Sequence, residues 1–191
     1  MTKEYQYTKL DDNLYETWNP VIRAIFDDKI KKVREFVRGE VVLDAGSGEG
    51  YVLSRVDCRI KVGCDVDLKK LKIGKNRFGI LFSMCETEGL SFKDGAFDSL
   101  ICSEVLEHVL DLKKTFSEFN RVLKEDGTLV VTLPREHILT LGKIISLRWN
   151  KHPDINTLMQ VEDEMSKMFR IERTANTLFF LHKVYLCKKK P

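Results

Sequence analysis

Between Ile22 and Val37 apolar residues recur at Ile22, Ile25, Phe26, Ile30, Val33, Phe36 and Val37, a spacing that lines one face of an α-helix. Asn19-Pro20 predicts its start, with asparagine as N-cap and proline at the first helical position. Gly39 is expected to close it in the left-handed conformation. Val41-Val42-Leu43 then forms a short continuous apolar run, as in a strand buried on both faces of a parallel sheet.

The two periods go on alternating. The pattern predicts a short helix over Tyr51 to Val56, a strand over Lys61 to Cys64, and a helix over Leu68 to Asn76 opened by Asp67. Strands follow over Ile80 to Met84 and Phe97 to Cys102, then a helix with Leu112, Phe116, Phe119 and Leu123 on one face. The turn residues Glu125-Asp126-Gly127 introduce a strand over Thr128 to Leu133. Thr157 and Gln160 read as a capping box for a helix carrying Leu158, Val161, Met165 and Met168. Phe169 to Thr174 and about His182 to Cys187 are two strands with no helix between them, hence a hairpin. The lysines at 188 to 190 read as a solvated tail. Strands alternating with helices imply right-handed crossovers and a parallel sheet, here ending on an antiparallel strand.

The chain has 191 residues, enough for one domain with a single core. Its expected parts are an N-terminal cap and first helix (1–39), a ligand-binding core (40–133), a segment facing the second substrate (134–157), and the last helix and hairpin (158–191). A net charge of +3 is too small to imply a polyanionic partner. No apolar run predicts membrane insertion and no leader pattern is visible, so a cytoplasmic location is expected. Five cysteines without a CxxC pair, several of them in apolar runs, read as small buried residues and not as a zinc site or disulfide framework.

Leu43-Asp44-Ala45-Gly46-Ser47-Gly48-Glu49-Gly50 joins the first predicted strand to a helix. Glycines there let the backbone turn sharply and approach a ligand. The dinucleotide fingerprint requires Gly or Ala three residues after its second glycine, and that position holds Tyr51. The Gly-Lys-Ser/Thr of a phosphate loop is also absent. Asp44 would oppose a pyrophosphate but suits a ligand ammonium. Asp65 ends the next strand, where an acid can take both ribose hydroxyls; Asp67 serves as the helix cap and leaves it free to do so.

The segments VVLDAGSGEG, VGCDVD, LSFKDGAFDSLICSEVLEHV and NRVLKEDGTLVVTLP occur in this order over roughly residues 36 to 134. They resemble the Rossmann-like (class I) S-adenosylmethionine-dependent methyltransferases, in particular their ubiquinone-pathway branch. The resemblance implies an α/β three-layer sandwich whose mostly parallel seven-stranded sheet ends in an antiparallel C-terminal strand. It implies S-adenosylmethionine as cofactor and S-adenosylhomocysteine as product. Gly46, Ser47, Gly48 and Gly50 would line its methionine and ribose, Asp44 would face its amino group, and Asp65 would hold the ribose hydroxyls. Val66 would pack on adenine, Glu86 would accept from the adenine amino group, and Thr87 would offer its backbone N–H to the ring. The family's usual Gly-Asp reads Cys85-Glu86 here, a departure that bears on the role of Glu86. Ser103 would lie beside the sulfonium.

The implied activity is methyl transfer to oxygen or nitrogen, with a small-molecule acceptor favoured over RNA. A non-catalytic protein that senses the cofactor or its product would show the same motifs. The segment 134–157 holds Arg135, His137, Lys143, Arg148, Lys151 and His152 against Glu136 and Asp154. It suits an anionic acceptor, or a solvated helix face. Tyr5, Tyr7, Tyr15 and Trp18 could cover the cofactor or pack on the core. Glu104, Glu107 and His108 would share a face if a helical turn began there. They could bind a divalent metal with a further ligand from His137 or His152, as some relatives of this pattern do. The alternative is a polar wall, with His108 as a candidate catalytic base.

Overall fold

The computed structural model describes residues 19–135 and 155–190. The first helix, α1, spans Pro20–Phe36. Asn19 caps it as expected, its Oδ1 accepting the Val21 and Ile22 N–H groups at 3.0 and 3.3 Å. The helix stops earlier than Gly39, with Val37 already extended. Gly39, at φ 79°, serves instead the close approach of Asp98, whose side chain would collide with a β-carbon there. The Asp98 carboxylate takes the N–H groups of Glu40 and Val41 and so starts the first strand.

That strand, β1 (Val41–Ala45), is followed by a single turn of helix, α2 (Tyr51–Ser54), shorter than the pattern suggested. Next come β2 (Ile60–Asp65), α3 (Leu68–Phe78), β3 (Leu81–Met84) and β4 (Phe97–Ser103). Asp67 caps α3 through the Lys69 and Lys70 N–H groups, as predicted. After α4 (Leu112–Val122), Leu123 belongs to the strand and not to the helix face. The strand β5 (Leu123–Pro134) pairs with β4 on both sides of an irregularity, so the Glu125-Asp126-Gly127 turn is a bulge inside it. The chain continues with α5 (Leu158–Met168), β6 (Phe169–Asn176) and β7 (His182–Lys189). The Thr157–Gln160 capping box is present. Lys188 and Lys189 are not tail: Lys188 pairs with Thr128 on β5, and Lys189 with Phe169 on β6.

The seven strands run in the order β3-β2-β1-β4-β5-β7-β6. Only β7 is reversed, antiparallel to both its neighbours. Alternate residues of each central strand face opposite layers. Leu43, Leu100, Cys102, Leu129, Val131 and Tyr185 pack against α4 and α5 through Phe116, Phe119, Val161 and Met165. Val42, Ile101, Val130 and Val184 pack against α1 and α2 through Ile30, Val33, Phe36 and Leu53. The outcome is the expected three-layer α/β sandwich. It sets the carboxyl ends of β1, β2, β4 and β5 along one edge, where open sheets of this kind hold ligands.

Candidate active site

The glycine loop is pinned to the end of β2. Gly46 and Ser47 both donate to the Cys64 carbonyl, at 2.8 and 2.9 Å, and Gly48 donates to Asp65 Oδ2 at 2.8 Å. Gly46, Gly48 and Gly50 all have positive φ, as the sharp turn requires. A β-carbon on Gly46 would overlap Val105, so the segment after β4 rests directly on the loop.

Asp44 is buried, and its Oδ1 has no hydrogen-bond partner. Burial, with the Asp65 charge adding to it and Lys29 opposing, pushes its carboxyl up to about 7. A buried acceptor left unsatisfied is costly. A ligand ammonium would satisfy it, so the residues present fit the amino-acid end of S-adenosylmethionine.

Asp65 is not idle: Oδ2 takes Gly48 N–H, and Oδ1 takes Asp67 N–H at 2.9 Å. Each carboxylate oxygen has a second lone pair. The carboxylate can therefore hold the loop and accept from ribose hydroxyls together. Val66 follows, half-buried, at the end of β2; Glu86 is exposed just past β3, and Thr87 beside it is buried with its hydroxyl donating to Glu88 at 3.0 Å. Ser103 ends β4, its hydroxyl 2.9 Å from that of Thr132 on β5.

The Glu104, Glu107 and His108 arrangement differs from the expected one. A 3-10 turn covers only Leu106–His108, so no helical face carries all three. Glu104 lies outside the turn, His108 is exposed and Glu107 is buried. Asn156 holds the turn by donating to the carbonyls of Leu106 and Val109 at 2.9 and 2.7 Å. Among the described residues no group of three His, Cys, Asp or Glu could hold a metal ion. His137 and His152 lie outside the described residues, as do Lys143, Arg148, Lys151, Glu136, Asp154, Tyr5, Tyr7, Tyr15 and Trp18. Arg135 is tied to the hairpin, donating to Asn176 Oδ1 at 2.9 Å.

Glu104 instead closes a charged cluster whose other members, Lys29 and His182, were not among the expected site residues. Lys29 of α1 is wholly buried and donates to Glu104 Oε1 at 2.8 Å. His182 of β7 places Nε2 2.7 Å from the same oxygen, while its Nδ1 lies 3.3 Å from the Thr177 hydroxyl. Burial alone would raise the Glu104 carboxyl; Lys29 and His182 outweigh it and hold the group well below the usual carboxylate range. Glu104 also has φ 56°, uncommon for a residue with a side chain. A signal for Lys29 was present: it sits among Ile25, Phe26, Ile30 and Val33 on the apolar face of α1.

A methyltransferase-domain family matches residues 43–131, from β1 through the core of β5. An uncharacterised protein of Methanocaldococcus jannaschii is 34% identical over 150 residues, covering 77% of this chain and 54% of that one. The human "Probable tRNA methyltransferase 9B" is 29% identical over 127 residues, 62% of this chain and 28% of that one. The chain thus spans about half the length, or less, of these curated relatives. A Thermotoga maritima structure, described as a SAM-dependent methyltransferase and possible histamine N-methyltransferase, superposes with a TM-score of 0.76. It is 20% identical, and the match covers 93% of this chain and 95% of that one. At that identity the match speaks for the fold. Residues 43–131 thus form a methyltransferase domain, set in the fold of the S-adenosylmethionine-dependent methyltransferases.

Proposed function

We propose that the protein transfers a methyl group from S-adenosylmethionine to oxygen or nitrogen of a small molecule. The observation that carries this reading is the buried, unpartnered Asp44 Oδ1 beside three left-handed glycines within the matched domain. Bound S-adenosylmethionine supplies an activated methyl group on a positively charged sulfur.

Asp44 receives the cofactor's ammonium, and the Gly46–Gly50 loop follows its methionine and ribose. Asp65 accepts from the ribose hydroxyls while holding the loop through Gly48. Val66, Glu86 and Thr87 border the adenine, and Ser103 lies beside the sulfur. The protein's task is then to hold an acceptor in line, and positioning of this kind can lower a barrier by about 7–11 kcal/mol. Among the described residues no helix is long and apolar enough to cross a membrane, and a cytoplasmic location is part of this reading.

The test is binding followed by turnover. S-adenosylmethionine at 100 times its Kd should stabilise the fold by about 2.7 kcal/mol. S-adenosylhomocysteine should accumulate once an acceptor is supplied. No thermal shift and no calorimetric heat at millimolar cofactor would reject the reading. Binding without turnover of any acceptor would assign the chain to cofactor sensing.

A further inference from the structure

Glu104 spends only one of its oxygens on the buried cluster. Oε1 receives both Lys29 Nζ and His182 Nε2. The side chain stays 28% exposed, while those of Lys29 and His182 are 0% and 8% exposed. The Lys29 cation is thus inside and the accessible group is the anion. It stands one residue past Ser103, at the carboxyl end of β4, in the segment whose Val105 packs on Gly46. The left-handed backbone at Glu104 is held by its N–H donating to the Thr132 carbonyl at 3.1 Å. Sparsely populated backbone of this kind persists where the surroundings over-determine it, and it clusters at functional sites.

The His182 ring bridges Glu104 and Thr177, with Nε2 against the carboxylate and Nδ1 against the hydroxyl. Lys29 keeps the carboxylate ionised and His182 fixes its direction. Both are positioning residues.

We infer that Glu104 Oε2 contacts the methyl acceptor, and that the accepting atom is the nitrogen of a neutral amine. This rests on the methyltransferase reading and narrows its acceptor. The amine, an ammonium in neutral water, first gives one proton to solvent; then, as the nitrogen–carbon bond forms and the carbon–sulfur bond breaks, the bonding pair goes to sulfur and the positive charge moves to nitrogen. The product ammonium then loses a proton to water. A fixed anion beside the nitrogen stabilises that developing charge. An oxygen acceptor that must first ionise, or a carboxylate, would be repelled by Glu104. The inference therefore runs against the anionic acceptor suggested by the basic residues of 134–157.

The experiment supplies S-adenosylmethionine with each of three aromatic probes in turn, benzylamine, tryptamine and benzoate, and follows S-adenosylhomocysteine. Cofactor affinity is measured alongside by calorimetry. The amines should turn over and benzoate should not. Glu104→Gln should lower kcat/KM for the amines by about 10–100-fold, with cofactor affinity unchanged. That variant removes the Glu104 charge that faces Lys29, so the paired variant Lys29→Met/Glu104→Gln, which removes both charges, is measured as well. Its amine turnover should stay low although its thermal stability returns toward that of the parent. Turnover of benzoate but not the amines, turnover of no amine by cofactor-bound protein, or parental amine turnover in the paired variant would each overturn the inference. Failure to bind S-adenosylmethionine at all would overturn the methyltransferase reading beneath it.

Discussion

Asp65 Oδ2 accepts the Gly48 N–H at 2.8 Å, so the tip of the glycine loop hangs on the carboxylate proposed to hold the ribose. Asp65→Ala should therefore do two things. It removes a charged acceptor from two hydroxyls, a loss of about 1.5–3 kcal/mol, and it frees a loop amide. We expect S-adenosylmethionine affinity to fall about 10–100-fold by calorimetry, and amide exchange at Gly48 to quicken without cofactor. An unchanged Kd would show that the ribose lies elsewhere.

Asp44 sets a pH dependence whose sign is opposite for the free and the bound protein. Its carboxyl lies near 7 in the folded chain against 3.8 for an unperturbed group. The folded state binds more protons between those values, so this residue's contribution to stability falls as pH rises through that window. A ligand ammonium requires the ionised form. Affinity for S-adenosylmethionine should thus rise with pH up to about 7 and level off above it, with a proton released on binding at pH 6. Calorimetry in buffers of different ionisation enthalpy reads that proton, and Asp44→Asn should abolish both effects.

Gly46→Ala would set a side chain into Val105 at a backbone angle that L-residues avoid. The expected cost is about 1–3 kcal/mol in urea denaturation. Gly46→Ala/Val105→Ala should recover part of it, because the two sites share one contact. Full additivity of the two losses would disprove the contact.

Phe116 of α4 is fully buried, 6.0 Å from the Phe119 ring and 6.2 Å from that of Phe169, measured between centroids. It joins the helical layer to the start of β6. Phe116→Ala should destabilise the fold by about 3–5 kcal/mol, read as a lower denaturation midpoint with an unchanged slope.

Elements whose signal is local were legible. The N-caps of α1 and α5, the positive-φ glycines and the reversed last strand follow from neighbouring residues and period alone. Boundaries set by tertiary partners were not. Leu123 has the spacing of a helix face but pairs with Phe97, and the Glu125-Asp126-Gly127 turn is absorbed as a bulge because β5 re-registers on β4. Lys188 and Lys189 look solvated until β5 and β6 are set beside them. At the site, the glycine loop and Asp65 are contiguous motifs, whereas the Lys29–Glu104 ion pair joins residues 75 positions apart. Glu104 was visible as an acid just past β4, but its partners Lys29 and His182 come from α1 and β7, far away in the chain.

The strand order carries a consequence for how the chain assembles. β6 reaches the sheet only through β7, which slides between it and β5. During synthesis β6 emerges first and has no sheet to join. Meanwhile β5, whose buried residues Leu129 to Leu133 lie inside the finished sheet, presents a bare edge. Such an edge is a template for pairing with another chain. The interval between translation of Pro134 and of Lys189 is therefore the chain's exposed period, when a chaperone or a neighbouring copy can compete for the place that β7 later takes.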